Sequence, residues 1–104
     1  MKHILLACSA GMSTSLLVSK MEEVAKEKGE QVKIWAVAQD KVIKEIEKAD
    51  VLLIGPQMRF LKKKLSKIAA DANVKMDVID PVAYGRIDGE AVLKRALELL
   101  KEVN

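Results

Sequence analysis

Four short apolar runs punctuate the chain, and each is followed by a stretch in which apolar residues return every three or four positions. The runs are Ile4-Leu5-Leu6-Ala7, residues 32–37, Val51-Leu52-Leu53-Ile54 and residues 76–79. Runs of this length bounded by turn residues predict strands, and the third, apolar on both of its faces, predicts a central parallel one. After the first run, Leu16, Leu17, Met21, Val24 and Ala25 share a helical face before Gly29 supplies a stop. Val42, Ile43 and Ile46 give a short helix its core-facing side after the second run. Leu61, Leu65, Ile68 and Ala69 do the same for a helix over residues 58–72, after the break at Gly55-Pro56. The fourth run stops at Asp80-Pro81, and Asp88 predicts the N-cap of a last helix bearing Val92, Ala96, Leu99 and Val103.

This alternation predicts an α/β fold: a single-domain, doubly wound, four-stranded parallel sheet with helices on both faces. Short right-handed crossovers favour the strand order 2-1-3-4. The length allows one core and no second, so residues 1–104 are expected to form one domain. In that order the loops after the first and third strands diverge at a switch point, the place where sheets of this class hold ligands. Residues 8–15 and the turn Gly55-Pro56-Gln57 are therefore expected to face one crevice.

Composition narrows the chemistry. Half of the residues are hydrophobic and 32% are charged, a globular rather than a disordered balance. Trp35, Phe60 and Tyr84 are the only aromatic residues, too few for the stacking platforms of single-stranded nucleic-acid binding, so no nucleic-acid partner is expected. Acids and bases alternate around a net charge of +3, except where Arg59, Lys62, Lys63, Lys64 and Lys67 accumulate. That set reads either as a solvated helix face or as a surface for an acidic partner, a phosphate or an anionic membrane. A lone cysteine excludes an internal disulfide, and one histidine, His3, with no cluster at metal-ligand spacing, predicts neither a metal nor a cofactor. No apolar stretch reaches membrane-spanning length or resembles a secretory signal, so a cytoplasmic protein without direct membrane insertion is expected.

Directly after the first strand stand Cys8, Ser9, Ala10, Gly11, Met12, Ser13, Thr14 and Ser15, and then the helical pattern takes over. Small residues and Gly11 let the backbone wrap tightly, so that successive N–H groups can form an anion-binding nest. The hydroxyls of Ser13, Thr14 and Ser15 fall where the helix opens, beside its unsatisfied N–H groups and the positive end of its dipole. Such a loop suits a phosphate-sized anion, and the same field favours the thiolate of Cys8. The competing reading makes Cys8 a small buried hydrophobe at a strand end. The hydroxyl-rich turn behind it favours chemistry. The loop lacks the lysine and spacing of a Walker motif and also lacks GxGxxG, which sets nucleotide binding behind.

A cysteine opening a phosphate loop between strand and helix is similar to the arrangement in the low-molecular-weight tyrosine phosphatases, whose fold the predicted sheet also resembles. Those enzymes clamp the phosphoryl oxygens with an arginine six positions after the nucleophile, where this chain has Thr14. A bidentate guanidinium in phosphoryl transfer is worth about 10³-fold or more, so efficient hydrolysis is not expected here. Asp80-Pro81 resembles the general-acid loop of those phosphatases, though a structural turn explains it equally well. A phosphocysteine that water attacks slowly is what a phosphoryl carrier requires, and a carrier needs no base beyond the thiolate. A phosphatase-like hydrolase and a non-covalent anion-binding module are the alternatives.

The loop Cys8-Ser9-Ala10-Gly11-Met12-Ser13-Thr14-Ser15 strongly resembles the enzyme IIB component of the bacterial phosphoenolpyruvate-dependent sugar phosphotransferase system, in its lactose, cellobiose and diacetylchitobiose branch. Leu16-Leu17-Val18-Ser19-Lys20-Met21, Gly55-Pro56-Gln57, Tyr84-Gly85 and Asp88-Gly89 extend the resemblance along almost the whole chain. It implies that Cys8 receives a phosphoryl group from a phosphohistidine of enzyme IIA. Cys8 then passes it to a sugar, such as cellobiose, chitobiose or lactose, carried by the membrane-embedded enzyme IIC. It also implies transient residence at the inner face of the membrane through enzyme IIC. His3 has no role in this scheme and is expected at a strand edge. A site that meets two proteins in turn is expected to have an exposed, largely apolar rim, to which Met12 and Tyr84 contribute, while Gln57 holds the loop or touches the phosphoryl group.

Overall fold

The computed structural model describes residues 1–8 and 11–102, with residues 11–13 described by backbone alone. Four parallel strands, β1 (Lys2–Cys8), β2 (Val32–Ala38), β3 (Val51–Ile54) and β4 (Lys75–Val78), form one sheet in the order β2-β1-β3-β4. The doubly wound order expected from the sequence is the one observed. The helices are α1 (Gly11–Lys28), α2 (Val42–Glu45), α3 (Lys62–Asp71), α4 (Pro81–Gly85) and α5 (Gly89–Lys101).

Side chains alternate across the two internal strands, which explains why both are apolar throughout. Ile4 and Leu6 of β1 and Val51 and Leu53 of β3 pack with Leu17, Met21, Val92, Leu93 and Ala96 of α1 and α5. Leu5, Ala7, Leu52 and Ile54 enter a second cluster on the opposite face with Val42, Ile46, Met58, Leu65 and Ala69. Each fully buried aliphatic side chain of this kind stabilises the fold by about 1.5–3 kcal/mol relative to exposure. α1 and α5 approach closely because α5 opens on Gly89: a Cβ there would stand 2.6 Å from the Lys20 carbonyl carbon and 2.7 Å from the Met21 nitrogen. Asp88 caps α5 as expected, its carboxylate accepting from the Ala91 N–H at 3.0 Å.

Several local expectations change. Helix α3 begins at Lys62 rather than near residue 58, because residues 56–61 form a tighter 3-10 turn led by Pro56, with Met58 buried beneath it. Helix α2 is a single turn flanked by 3-10 turns, which rotate Ile43 to the surface at 64% exposure while Val42 and Ile46 stay buried. Leu16 lies outside the Leu17, Met21, Ala25 stripe and is 48% exposed. The Asp80-Pro81 break opens an additional short helix, α4, which Asp80 caps through the Ala83 N–H at 3.0 Å. His3 sits in an internal strand rather than at a sheet edge, and its Nδ1 lies 3.1 Å from Asp50 Oδ2. Val103 lies outside the described residues.

Candidate phosphoryl-acceptor site

Cys8 is the last residue of β1, and α1 opens three positions later at Gly11. The parallel arrangement puts the ends of all four strands, and the turns that follow them, along one edge of the sheet. The Cys8 side chain is 3% exposed, and its Sγ lies 3.8 Å from the Val37 carbonyl oxygen of neighbouring β2. The thiol therefore sits at the rim of the core rather than out on a loop.

Ser9 and Ala10 lie outside the described residues, as do the side chains of Met12 and Ser13. The first N–H groups of the 18-residue helix Gly11–Lys28 have no intrahelical acceptor and carry its positive end. Ser15 is exposed on the first turns of the same helix.

Thr14 takes the position at which the phosphatases described above carry their arginine. It is 1% exposed, the buried polar residue of this region. Its Oγ1 lies 3.3 Å from the Tyr84 hydroxyl, and that hydroxyl accepts from Gln57 Nε2 at 3.2 Å. One phenol thus links the first turns of α1, the turn after β3 and helix α4. The Tyr84 ring packs on the α1–α5 core cluster, which fixes the height at which its hydroxyl emerges. Gly55 leaves room for the Gln57 amide in this arrangement. A Cβ at Gly55 would stand 2.7 Å from Gln57 Oε1, so a bulkier residue would push the Gln57 amide away from Tyr84.

The residues singled out in the sequence thus converge: Cys8, Thr14, Gln57 and Tyr84 occupy the strand-end edge. Asp80 reaches the same edge, but its carboxylate is engaged in capping α4. His3 lies at the opposite end of β1. The hydroxyl link between Thr14 and Tyr84 was not foreseeable, since 70 residues separate them and neither belongs to a periodic pattern that pairs them. Exposed Leu16 and Val82, at 48% and 59%, add apolar surface on α1 and α4 that helical periodicity assigned elsewhere or left unassigned. Among the described residues, no group of three or more His, Cys, Asp or Glu side chains is placed to hold a metal ion.

The family model described as "PTS system, Lactose/Cellobiose specific IIB subunit" matches residues 3–95. The chain belongs to this family. It is 56% identical over 100 residues to the PTS system oligo-beta-mannoside-specific EIIB component of Bacillus subtilis (strain 168), covering 96% of this chain and 97% of that protein. It is 44% identical over 104 residues to the cellobiose-specific EIIB component of Lactococcus lactis subsp. lactis (strain IL1403), covering 95% and 96%. Among solved structures, the cellobiose-specific phosphotransferase IIB component of Borrelia burgdorferi superposes with a TM-score of 0.80 at 38% identity, covering 95% of this chain and 91% of that one. The lactose-specific IIB domain of Streptococcus pneumoniae shares the fold, with a TM-score of 0.85 at 16% identity over 94% and 96% of the two chains. As a IIB subunit the protein is a phosphotransferase component. No helix among its described residues is long and apolar enough to cross a membrane.

Proposed function

We propose that Cys8 of this IIB subunit carries the phosphoryl group. The thiolate attacks the phosphorus of a phosphohistidine on enzyme IIA in line with the departing imidazole nitrogen, so that a P–S bond forms as the P–N bond breaks. A sugar hydroxyl presented through the membrane component, enzyme IIC, then attacks the same phosphorus. The P–S bond breaks, the thiolate is restored and the hydroxyl proton passes to solvent. The backbone N–H groups and hydroxyls of Ser9, Ala10, Gly11, Met12, Ser13, Thr14 and Ser15 neutralise the phosphoryl oxygens in both steps. The observation that carries this reading is the position of Cys8 at the end of an internal strand, three residues before the N-terminus of α1.

Two features favour a carrier over a hydrolase. Thr14 replaces the phosphatase arginine and is held by Tyr84. Asp80 is committed to a helix cap and so is a poor general acid. Two relatives are named as specific for oligo-β-mannosides and for cellobiose, which supports a β-linked sugar as the final acceptor. Residues 1–104 form the carrier domain, which works in the cytoplasm and visits the inner face of the membrane through enzyme IIC.

The test is intact mass after incubation with phosphoenolpyruvate, the general phosphotransferase proteins and a matched enzyme IIA. The expected result is one slowly hydrolysed phosphate adduct in the wild type and none in Cys8→Ala. No adduct, with steady release of phosphate from an aryl phosphate, would overturn the carrier reading in favour of a hydrolase.

A further inference from the structure

Three helices end in the same backbone figure. The N–H groups of Gly29 and Glu30 return to the carbonyls of Lys26 and Ala25 at the end of α1, and those of Asn73 and Val74 to Ala70 and Ala69 at the end of α3. At the end of α4, Ile87 and Asp88 donate to Tyr84 at 3.2 Å and Ala83 at 2.9 Å. The figure needs one residue in the left-handed region, supplied by Gly29, Asn73 and Ile87 with φ of 69°, 60° and 54°. Glycine and asparagine are at home there. Isoleucine is not, because its branched Cβ crowds the following carbonyl. Gly85, two positions earlier, lies within α4, and a Cβ added to it would meet open space. The glycine of this segment thus stands where any residue fits, and the β-branched residue stands where glycine belongs.

Packing holds Ile87 in that state. Its side chain is half-buried against the α1–α5 core cluster, the same cluster on which the Tyr84 ring rests. The next residue, Asp88, is tied on both sides: its N–H closes α4, and its carboxylate caps α5 through the Ala91 N–H at 3.0 Å. Helix α4 has five residues, too few to hold a direction by its own hydrogen bonds. Its direction is set at its two ends, by the Asp80 cap and by the turn at Ile87. Between them, Tyr84 brings one hydroxyl to Thr14 Oγ1 at 3.3 Å and to Gln57 Nε2 at 3.2 Å.

We propose that Ile87 is a positioning residue for phosphoryl transfer: its anchored side chain, held against a strained backbone, sets α4 at the angle that carries the Tyr84 hydroxyl to Thr14 and Gln57. The kinetic consequence rests on the carrier reading of Cys8, while the placement of Tyr84 is independent of it. Strain of this kind persists only where the surroundings over-determine it. Glycine or asparagine at position 87 relaxes the backbone and releases the anchor together, so the two effects oppose each other in stability but not in the placement of Tyr84.

The test compares wild type, Ile87→Gly, Ile87→Asn, Ile87→Val and the double variant Ile87→Gly, Tyr84→Phe, each checked for folding by a thermal melt. Tyr84 is the only tyrosine of the chain, so labelled tyrosine gives a single ring signal by NMR. That signal is expected to shift or broaden in Ile87→Gly and Ile87→Asn, and to keep its wild-type position in Ile87→Val, which retains a branched anchor. Single-turnover transfer from enzyme IIA to Cys8 is expected to slow about three- to tenfold in the glycine and asparagine variants, with KM for the donor little changed. The double variant is expected to be no slower than Tyr84→Phe alone, because Ile87 acts through that hydroxyl. An unmoved tyrosine signal or wild-type transfer in the folded glycine and asparagine variants would overturn the proposal, as would losses that multiply in the double variant. Failure of both variants to fold would overturn it as well, by making Ile87 a determinant of the fold and not of the site. A wild type that forms no Cys8 phosphate adduct would refute the carrier reading, and the tyrosine signal would then decide the placement by itself.

Discussion

At the scale of single residues, the tyrosine hydroxyl shared by Thr14 and Gln57 is the feature on which the site's geometry turns. Tyr84→Phe keeps the packed ring and removes the hydroxyl that makes both of those bonds, so it is expected to cost about 1 kcal/mol of stability. It should slow phosphoryl transfer from enzyme IIA about three- to tenfold, with little change in KM for the donor, because the loop is less well positioned. Single-turnover transfer followed by mass spectrometry reads that split. The end of β1 at Cys8 and the start of α1 at Gly11 were legible in the sequence because an apolar run gives way there to glycine and hydroxyl-bearing residues. The Tyr84 link was not, since nothing local in a chain announces a contact between residues so far apart. Glu45 supplies a different residue-scale expectation. Its hydrogen bond with Lys48 holds its carboxyl below the usual carboxylate range, helped by the charge of Lys48 and by Trp35 Nε1 at 3.2 Å. A carboxyl lowered in the folded state stabilises that state above its ordinary value, and the contribution fades as pH falls through the folded one. Lys48→Met should therefore raise the Glu45 titration in carboxyl-detected NMR and reduce the acid sensitivity that this group gives to unfolding.

At the scale of elements, the packing of α5 on α1 depends on a position with no side chain. Gly89→Ala forces the two backbones apart or distorts the first turn of α5, an overpacking that costs about 1–3 kcal/mol. For a chain of this size each kcal/mol lowers the melting temperature by about 4–8 °C, so differential scanning calorimetry reads the effect directly. The internal strands were legible because burial on both faces leaves an uninterrupted apolar run, and α5 because its cap and its stripe agree. The short elements were not. A single turn such as α2 is too brief for a 3.6-residue period to have meaning, and the 3-10 turns on either side advance each residue by a larger angle, which carries Ile43 outward. The turn over residues 56–61 was hidden for the same reason. Asp80-Pro81 did hold the signal for α4, since an acidic cap followed by proline at the first helical position is a helix start as well as a strand stop.

At the scale of the whole molecule, a parallel sheet sorts its two ends by role. Strand ends and the turns after them gather Cys8, Thr14, Gln57 and Tyr84 at one edge. This polarity followed from strand order alone, which is why the residues expected to share the switch-point edge do share it. What strand order does not convey is which helices flank the edge closely enough to add to it, and the exposed Leu16, Ile43, Phe60 and Val82 are the result. The other end of the sheet, where Lys2, Val51 and Lys75 begin their strands and His3 meets Asp50, takes no part in any of this. That end is a handle. A dye, a bead or a sensor surface coupled through a cysteine substituted for Lys2, in a chain whose native thiol is already 3% exposed, would leave the opposite edge free to meet its partners.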